Sequence, residues 1–182
     1  MTGPNVTGIV GPVPDGHDPE EYDKRRRRVL WTMPSGLYVL GTRAGDRRNG
    51  MTLNWATQVS FDPKLVAVSV EKEAFSHQLL AEGKVFALSI VDREDRAVVR
   101  KFTKPVEVDL EARTLNGFAF HDGLSGAPVL DQAAAYVDCI VRQQVDVGDH
   151  TLFLGEVVDA GFQKPEDTGV LRMEDTRMNY GG

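Results

Sequence analysis

The sequence predicts a mainly β, antiparallel fold with short capping helices. Three observations lead to this class: six or seven segments have strand patterns, hairpin-type turns join most of them, and no repeated strand–helix–strand order indicates a parallel sheet. The 182 residues are 41% hydrophobic and 26% charged, which is typical of one globular domain with a sizeable core. We therefore expect an antiparallel barrel that closes on itself.

Composition argues against several classes of protein. The net charge of -6 disfavours a general nucleic-acid binder, because such domains usually present a basic face. Cys139 is the single cysteine, which excludes an internal disulfide and a cysteine-based zinc site. There is neither an apolar stretch of membrane-spanning length nor an apolar signal core at the N-terminus. We expect a cytoplasmic protein without a membrane or nucleic-acid partner.

The N-terminal part predicts an arm followed by a helix. Residues 1–17 are rich in Gly, Pro, Val and Thr, which indicates a flexible arm, and we expect one domain over residues 18–182. Asp18 can cap a helix that has Pro19 in its first turn and ends near Met33. The basic run 24–28 is either an anion-binding patch or a solvated helix face paired with nearby acids, and the acidic chain favours the second.

The middle of the chain is predicted to form strands joined by tight turns. Strands are expected near residues 36–42, 51–60, 65–70, 85–91, 106–110, 134–145 and 151–158, and residues 126–130 are expected to form a small-residue turn that enters a strand. The first turn is expected over residues 46–50, where Asn49-Gly50 is the strongest hairpin signal. Helices are expected over 74–82, ended by Gly83, and over 94–102.

Segment 51–60 carries an unusual density of hydroxyl and amide side chains. They are Thr52, Asn54, Thr57, Gln58 and Ser60. Such a row either faces water or surrounds a polar ligand, and we interpret it as the wall of a ligand site. A dinucleotide fingerprint GxGxxG, a P-loop and a GxSxG elbow are all missing from the sequence. The four histidines have no metal-ligand spacing, so we expect no metal.

Four segments in order are similar to one known family. NGMTLNWATQVSFDP, LVAVSVEKEAFSHQLL, GAPVL and GDHTLFLGEV resemble the flavin reductase-like family of flavin-binding split barrels, and the likeness covers roughly residues 36–161. The resemblance implies an antiparallel Greek-key split β-barrel, a homodimer, and FMN or FAD near the subunit interface. It also implies that the protein serves as the reductase component of a two-component monooxygenase.

The resemblance assigns site residues. Those implied to line the flavin ring and ribityl chain are Met51, Thr52, Leu53, Asn54, Trp55, Thr57, Gln58, Val59 and Ser60. Those implied to receive the flavin phosphate are Lys72, Phe75, Ser76 and His77, at a helix start that suits an anion. His150, in the turn GDH, is implied to lie near the nicotinamide. Each assignment has a structural alternative. Met51 and Trp55 could pack in the core, Ser76 could cap a helix, and Asp149-His150 could form a plain polar turn.

This chain departs from the family pattern at three positions. Lys64 stands where a second proline is common, Gln78 where a threonine is common, and Trp55 where many members have a small residue. Gln78 weakens the phosphate assignment. Tyr180, in the tail, has no assigned role.

The implied reaction is hydride transfer from NADH or NADPH to FMN or FAD. His150 would position the reactants or relay a proton, and the reduced flavin would pass to a partner monooxygenase. Two alternatives keep the flavin without nicotinamide turnover: a flavin carrier or sensor, and a flavin-dependent oxidase. A nucleic-acid binder acting through residues 24–28 ranks last.

Overall fold

A computed structural model describes residues 11–176 and Met178, in two compact units. One unit is Met1–Pro34 with Arg177–Gly182, and the other is Ser35–Thr176. Residues 1–10, most of the predicted arm, lie outside the described residues, as does Tyr180. The domain boundaries predicted from the sequence therefore stay a prediction.

The first unit contains helix α1 (Pro19–Leu30). The Asp18 carboxylate accepts a hydrogen bond from the Glu21 backbone N–H at 2.9 Å, which confirms the predicted cap. The helix ends three residues before the predicted Met33. Basic side chains pair with acids one turn away, as in Lys24–Glu20 at 2.9 Å and Arg26–Asp23 at 2.8 Å. Three of the five basic residues, Lys24, Arg26 and Arg27, are therefore ion-paired on this helix.

The second unit consists of strands with two short helices and a final 3₁₀ turn. Its elements are β1 (Tyr38–Ala44), β2 (Arg47–Leu53), β3 (Ala56–Phe61), β4 (Lys64–Glu71), α2 (Phe75–Gly83), β5 (Val85–Ile90), α3 (Ala97–Lys101), β6 (Val108–Asp109), β7 (Thr114–Leu115), β8 (Phe118–Asp122), β9 (Pro128–Leu130), β10 (Ala135–Val147), β11 (His150–Phe162) and a 3₁₀ turn (Met173–Asp175). Every named strand pairing is antiparallel. The mainly β, antiparallel class is confirmed.

The main sheet has the strand order β2-β1-β5-β10-β11-β4-β3, and a smaller sheet has the order β6-β7-β8-β9. Strands β2 and β3 are the two edges of the main sheet, yet only Asn54 and Trp55 separate them in the chain. Three Cα steps span at most about 11 Å, whereas six strand spacings in a flat sheet span about 29 Å. The sheet must therefore curl until its edges meet at this corner. The Greek-key split barrel stays the interpretation that this curl fits.

The core lies inside the curled sheet. Its fully buried side chains include Leu40, Val68, Phe86 and Phe153. Gly155 on β11 is required by this packing, because a Cβ there would lie 2.4 Å from the Phe86 ring. A rigid core under β11 holds the start of that strand, where His150 lies, in a fixed place.

The turn predicted at Asn49-Gly50 is wrong. Asn49 and Gly50 lie within β2, and the turn is made by Gly45, whose φ is +58°, and Asp46. Gly50 is needed for space instead, since a Cβ there would lie 2.8 Å from the Phe102 ring. The predicted end of α2 at Gly83 is confirmed, although the left-handed residue that follows the helix is Lys84, with φ +59°.

Two predicted elements also have different bounds. The predicted strand 51–60 is divided at Asn54-Trp55 into the end of β2 and the start of β3, which lie on opposite edges of the sheet. The predicted helix 94–102 is shortened to α3, with Val98, Val99 and Phe102 buried. The first difference matters for function, because it turns a continuous polar wall into a corner.

Candidate active site

Three chain segments meet at the corner between β2 and β3. The Ser69 backbone N–H of β4 donates to the Trp55 carbonyl oxygen at 3.0 Å. The Lys72 N–H, just after β4, donates to the Asp149 carbonyl oxygen at 2.9 Å, and His150 is paired with Glu71 across the β4–β11 ladder. These bonds bring three predicted parts of the site together: the corner, the link from β4 to α2, and the turn before β11.

One imidazole nitrogen of His150 is hydrogen-bonded, and the other is not. Its Nδ1 lies 2.6 Å from an Asp149 carboxylate oxygen, and that bond, the largest influence, lowers the pKa of Asp149 below its usual range. Its Nε2 is buried and has no hydrogen-bond partner among the residues that the structure describes. The imidazole lies against the Trp55 indole, with ring centroids 4.9 Å apart and planes tilted by 52°.

Asn54 is a second polar residue at the corner. The residue is only 6% exposed, yet its side-chain amide is not one of the fully buried polar atoms that lack a partner. Its backbone carbonyl oxygen accepts from the Ala56 N–H at 3.1 Å, so the backbone is fixed. Buried polar atoms in native proteins are nearly always paired, so the buried, unpaired Nε2 of His150 at this corner indicates a ligand.

The three predicted residues at the end of β2 have structural roles for their side chains. Met51 packs against the core cluster, and Leu53 is buried in it. The Thr52 hydroxyl donates to the Val99 carbonyl oxygen of α3. Core packing, the alternative for Met51, therefore describes the structure.

The predicted residues on β3 form an open edge. Thr57, Gln58 and Val59 are exposed, and Ser60 is half-buried. A bulge between Gln58 and Ser60 interrupts the pairing with β4, and the Gln58 amide donates to the Ser60 carbonyl oxygen at 3.1 Å. This edge follows the corner directly and presents polar groups and one apolar side chain to the outside.

The predicted phosphate segment divides into outward and inward side chains. Lys72 is exposed, and its ammonium donates to the Gly148 carbonyl oxygen at 2.9 Å, while Phe75 is 49% exposed. Ser76 is buried and accepts from the Asn49 amide at 2.8 Å. Ser76 is not the helix cap that the sequence allowed, because Ala74 occupies that position without a side-chain hydrogen bond. The α2 N-terminus thus has no side-chain cap and suits an anion at its Phe75 and Ser76 N–H groups, whereas the His77 N–H donates to the Ala74 carbonyl oxygen at 2.9 Å.

His77 also turns inward. Its Nε2 lies 2.8 Å from the Thr151 hydroxyl, which donates in turn to Asp146 at 3.2 Å, and its ring meets Phe153 edge-on at 5.3 Å. Burial is the main cause that lowers the pKa of His77, against the opposing charge of Asp146. His77 therefore fixes α2 to β11 rather than facing a phosphate.

A cavity of about 350 Å³ lies beside the start of β3, next to this corner. It is lined by Tyr38, Ala56, Thr57, Gln58, Lys64, Leu65, Val66, Leu88, Ile90, Val137, Val157 and Ala160. Only Thr57 and Gln58 among these were assigned to the site from the sequence. Asn54 and His150 are not part of its lining.

Comparison with known proteins identifies the family. A family model described as flavin reductase like domain matches residues 30–181. The chain belongs to this family. An NADH-dependent FAD reductase of Streptomyces globisporus is 35% identical over 158 residues, which cover 85% of this chain and 84% of that protein.

Solved flavin reductases share the fold. The structure of the Streptomyces globisporus C-1027 NADH:FAD oxidoreductase SgcE6 in complex with NAD and FAD fragments has a TM-score of 0.71 and 31% identity, covering 85% of this chain and 89% of that one. The styrene monooxygenase flavin reductase (SMOB) of Pseudomonas putida S12 has a TM-score of 0.65 and 30% identity, covering 77% and 87%.

The residues present fit the flavin that this flavin reductase-like domain implies. The Asn54 amide can supply a donor and an acceptor, the α2 start with Lys72 offers positive charge for a phosphate, and His150 Nε2 is buried without a partner among the described residues. Within the part of the chain that the structure describes, no group of three or more His, Cys, Asp or Glu side chains could hold a metal ion. None of the described helices is long and apolar enough to cross a membrane.

Sequence reasoning missed residues that orient this flavin reductase-like site. Asp149 was taken only as part of a turn, although its carboxylate fixes His150. Asn49 was taken as a turn residue, although its amide holds Ser76. The adjacency of Asp149 and His150 could have suggested the first contact, but no sequence signal pointed to the second.

Proposed function

We propose that this chain is an NAD(P)H:flavin oxidoreductase that passes a hydride from NADH or NADPH to FMN or FAD. Membership of the flavin reductase-like family supports this activity. The single observation that carries it is His150 Nε2, a buried atom at the corner that has no hydrogen-bond partner among the described residues. Leaving such an atom without a partner costs about 1–3 kcal/mol, which a bound ligand would recover.

Asn54, the β3 edge and the start of α2 would hold the flavin. The Asn54 amide suits the carbonyl and nitrogen edge of the ring, and residues 57–60 would continue beside it. Lys72 and the uncapped N-terminus of α2 would receive the phosphate, through backbone N–H groups rather than through the Ser76 and His77 side chains. A bound flavin supplies the hydride acceptor for C4 of the nicotinamide.

His150 would orient the nicotinamide or hold a proton at Nε2. The Asp149 carboxylate engages Nδ1, so Nε2 is the nitrogen left for a ligand. The 4.9 Å contact with Trp55 limits the orientations of the imidazole and keeps water from it. The protein thus aligns the two reactants, which is its main contribution to the rate.

A homodimer, a cytoplasmic location and transfer of reduced flavin to a monooxygenase complete the proposal. The solved relative SMOB is the flavin reductase of a styrene monooxygenase, which supports a partner of that kind. The exposed edge of β3, with Val59 50% and Phe61 87% exposed, supports a subunit contact beside the site.

A steady-state assay tests the activity. Purified protein is mixed with NADH or NADPH and with FMN or FAD, and nicotinamide absorbance is followed. We expect oxidation that requires both protein and flavin. Flavin binding without nicotinamide oxidation would contradict the reductase and favour a flavin carrier or a flavin-dependent oxidase.

A further inference from the structure

We propose that the cavity beside β3 is a second binding site, which takes a small aromatic carboxylate in addition to the flavin. Its lining comes from β1, β3, β4, β5, β10 and β11, so the cavity lies inside the curl of the main sheet. A volume of about 350 Å³ is at the small end of the range for ligand pockets and suits a molecule of one or two rings.

The walls of the cavity are mostly aliphatic. Val66, Val137 and Val157 line it and pack against the core cluster, and Leu88 is a buried member of that cluster. The three valines are only partly buried, so the core ends here in an apolar surface that is partly open. Such a surface favours an apolar ligand, because binding removes hydrocarbon from water.

Lys64 is the charged residue of this lining. It is exposed at the start of β4, and none of the ion pairs found among the described residues includes it. The acids on the neighbouring strand β11 are already engaged, since Glu156 pairs with Arg142 at 2.6 Å and Asp159 accepts from the Tyr136 hydroxyl at 2.8 Å. The Lys64 ammonium is therefore available to a carboxylate on the ligand.

Tyr38 supplies the aromatic ring of the lining. Burial raises the pKa of its phenol above the usual range, so the hydroxyl stays protonated. A ring on the ligand can pack against the Tyr38 ring as an aromatic pair. Aliphatic walls with one aromatic ring and one ammonium suit an aromatic acid better than a sugar or a nucleotide, whose many polar groups would lack partners.

Calorimetric titration of the full chain with 2-naphthoate tests the site. We expect saturable binding to the wild type, with the same affinity when FMN is present. Lys64→Met should weaken 2-naphthoate about fivefold, the upper end for an exposed ion pair, and should leave binding of the neutral probe 2-naphthylmethanol unchanged. Lys104→Met, at an exposed lysine outside the lining, is the matched control and should bind both probes as the wild type does.

Three results would overturn the proposal. They are the absence of saturable 2-naphthoate binding, displacement of 2-naphthoate by FMN, which would make the cavity part of the flavin site, and unchanged affinity in Lys64→Met. None of them depends on nicotinamide oxidation, so this proposal and the proposed function can fail separately.

A cavity-filling variant checks the position of the ligand. Val157→Phe places a larger side chain in the lining and should abolish binding of both probes. A folded Val157→Phe protein that binds both probes as the wild type does would also overturn the proposal. If this variant does not fold, the FMN competition and the Lys64→Met titration still decide.

Discussion

Asp138 and His150 lie on the same hairpin of β10 and β11, but their buried polar atoms differ in whether they are hydrogen-bonded. Asp138 is fully buried, and its carboxylate accepts from the Ser125 backbone N–H at 2.6 Å and from the Ser125 hydroxyl. Burial is the main cause that raises the pKa of Asp138 above its usual range. His150 is bonded through Nδ1 but has Nε2 buried and unpaired.

This difference distinguishes a buried group that stabilises the fold from one that is available to a ligand. A buried group with its partners in place stabilises one local arrangement, here the loop from Gly123 to Gly126, where a Cβ on Gly123 would lie 2.6 Å from the Asp138 carboxylate. A buried group that lacks a partner costs free energy in the free protein and is retained when a ligand completes it. We therefore expect changes near Asp138 to affect stability and changes at the corner to affect turnover.

His150→Ala should have the largest effect, which is a loss of activity. We expect kcat/KM for the nicotinamide to fall about 100-fold, roughly 2.7 kcal/mol of transition-state free energy, with little change in the free energy of unfolding. Steady-state kinetics and urea unfolding measure the two quantities. His121→Ala removes a partly exposed imidazole bonded to Asp131 at 2.7 Å, and serves as the control. Full activity in His150→Ala would contradict the assignment.

Asp138→Asn should have the next largest effect, and on stability. The amide offers one acceptor where Ser125 presents two donors, so we expect the free energy of unfolding to fall by about 2 kcal/mol. Flavin reduction per folded molecule should be unchanged. Asp131→Asn, at an exposed carboxylate, is the control and should change stability by less than about 0.5 kcal/mol. A loss of turnover without a loss of stability would contradict the structural role of Asp138.

Asn54→Ala tests whether the amide at the corner binds the flavin. Removal of the amide should weaken FMN binding about tenfold without lowering stability, as measured by fluorescence titration and urea unfolding. Gln163 is the matched amide, because it donates to the Leu130 and Ala133 carbonyl oxygens at 2.8 and 3.2 Å. Gln163→Ala should destabilise the fold and leave FMN affinity unchanged. The opposite pattern would show that Asn54 is structural.

His77 should give the smallest effect, through pH. Its pKa is lowered in the folded protein, so as pH falls below about 6.5 the unfolded chain takes up a proton at this residue before the native protein does. Stability is therefore fully present above that pH and decreases on acidification. Urea unfolding at pH 7.5 and 5.5 should show a steeper loss for the wild type than for His77→Gln. An equal loss in both would contradict the inward, buried position of His77.

The strands could be predicted because alternation and turn residues are local signals. Strands β4, β5 and β10 appear near their predicted bounds. The prediction for Asn49-Gly50 was wrong because the local preference for a turn is outweighed by packing against Phe102, which is distant in the chain. The division at Asn54-Trp55 depends on how the whole sheet curls, and no window of sequence contains that information.

For the site, the resemblance located the segments but not the directions of the side chains. Ser76 and His77 turn inward to contact Asn49 and Thr151, which lie 27 and 74 residues away in the sequence. Partners so far away cannot be identified from the local sequence. His150 was named from the sequence, yet only the structure shows that its Nε2 is buried without a partner among the described residues. Long-range contacts therefore decide which predicted residues remain available to a ligand.

A crystal structure of the protein with FMN and NAD⁺ tests the central claim most directly. We predict that the flavin ring lies at the corner, that the Asn54 amide bonds to it, and that His150 Nε2 faces the nicotinamide. A flavin bound elsewhere, such as in the cavity beside Tyr38 and Lys64, with His150 Nε2 still unpaired, would contradict the account.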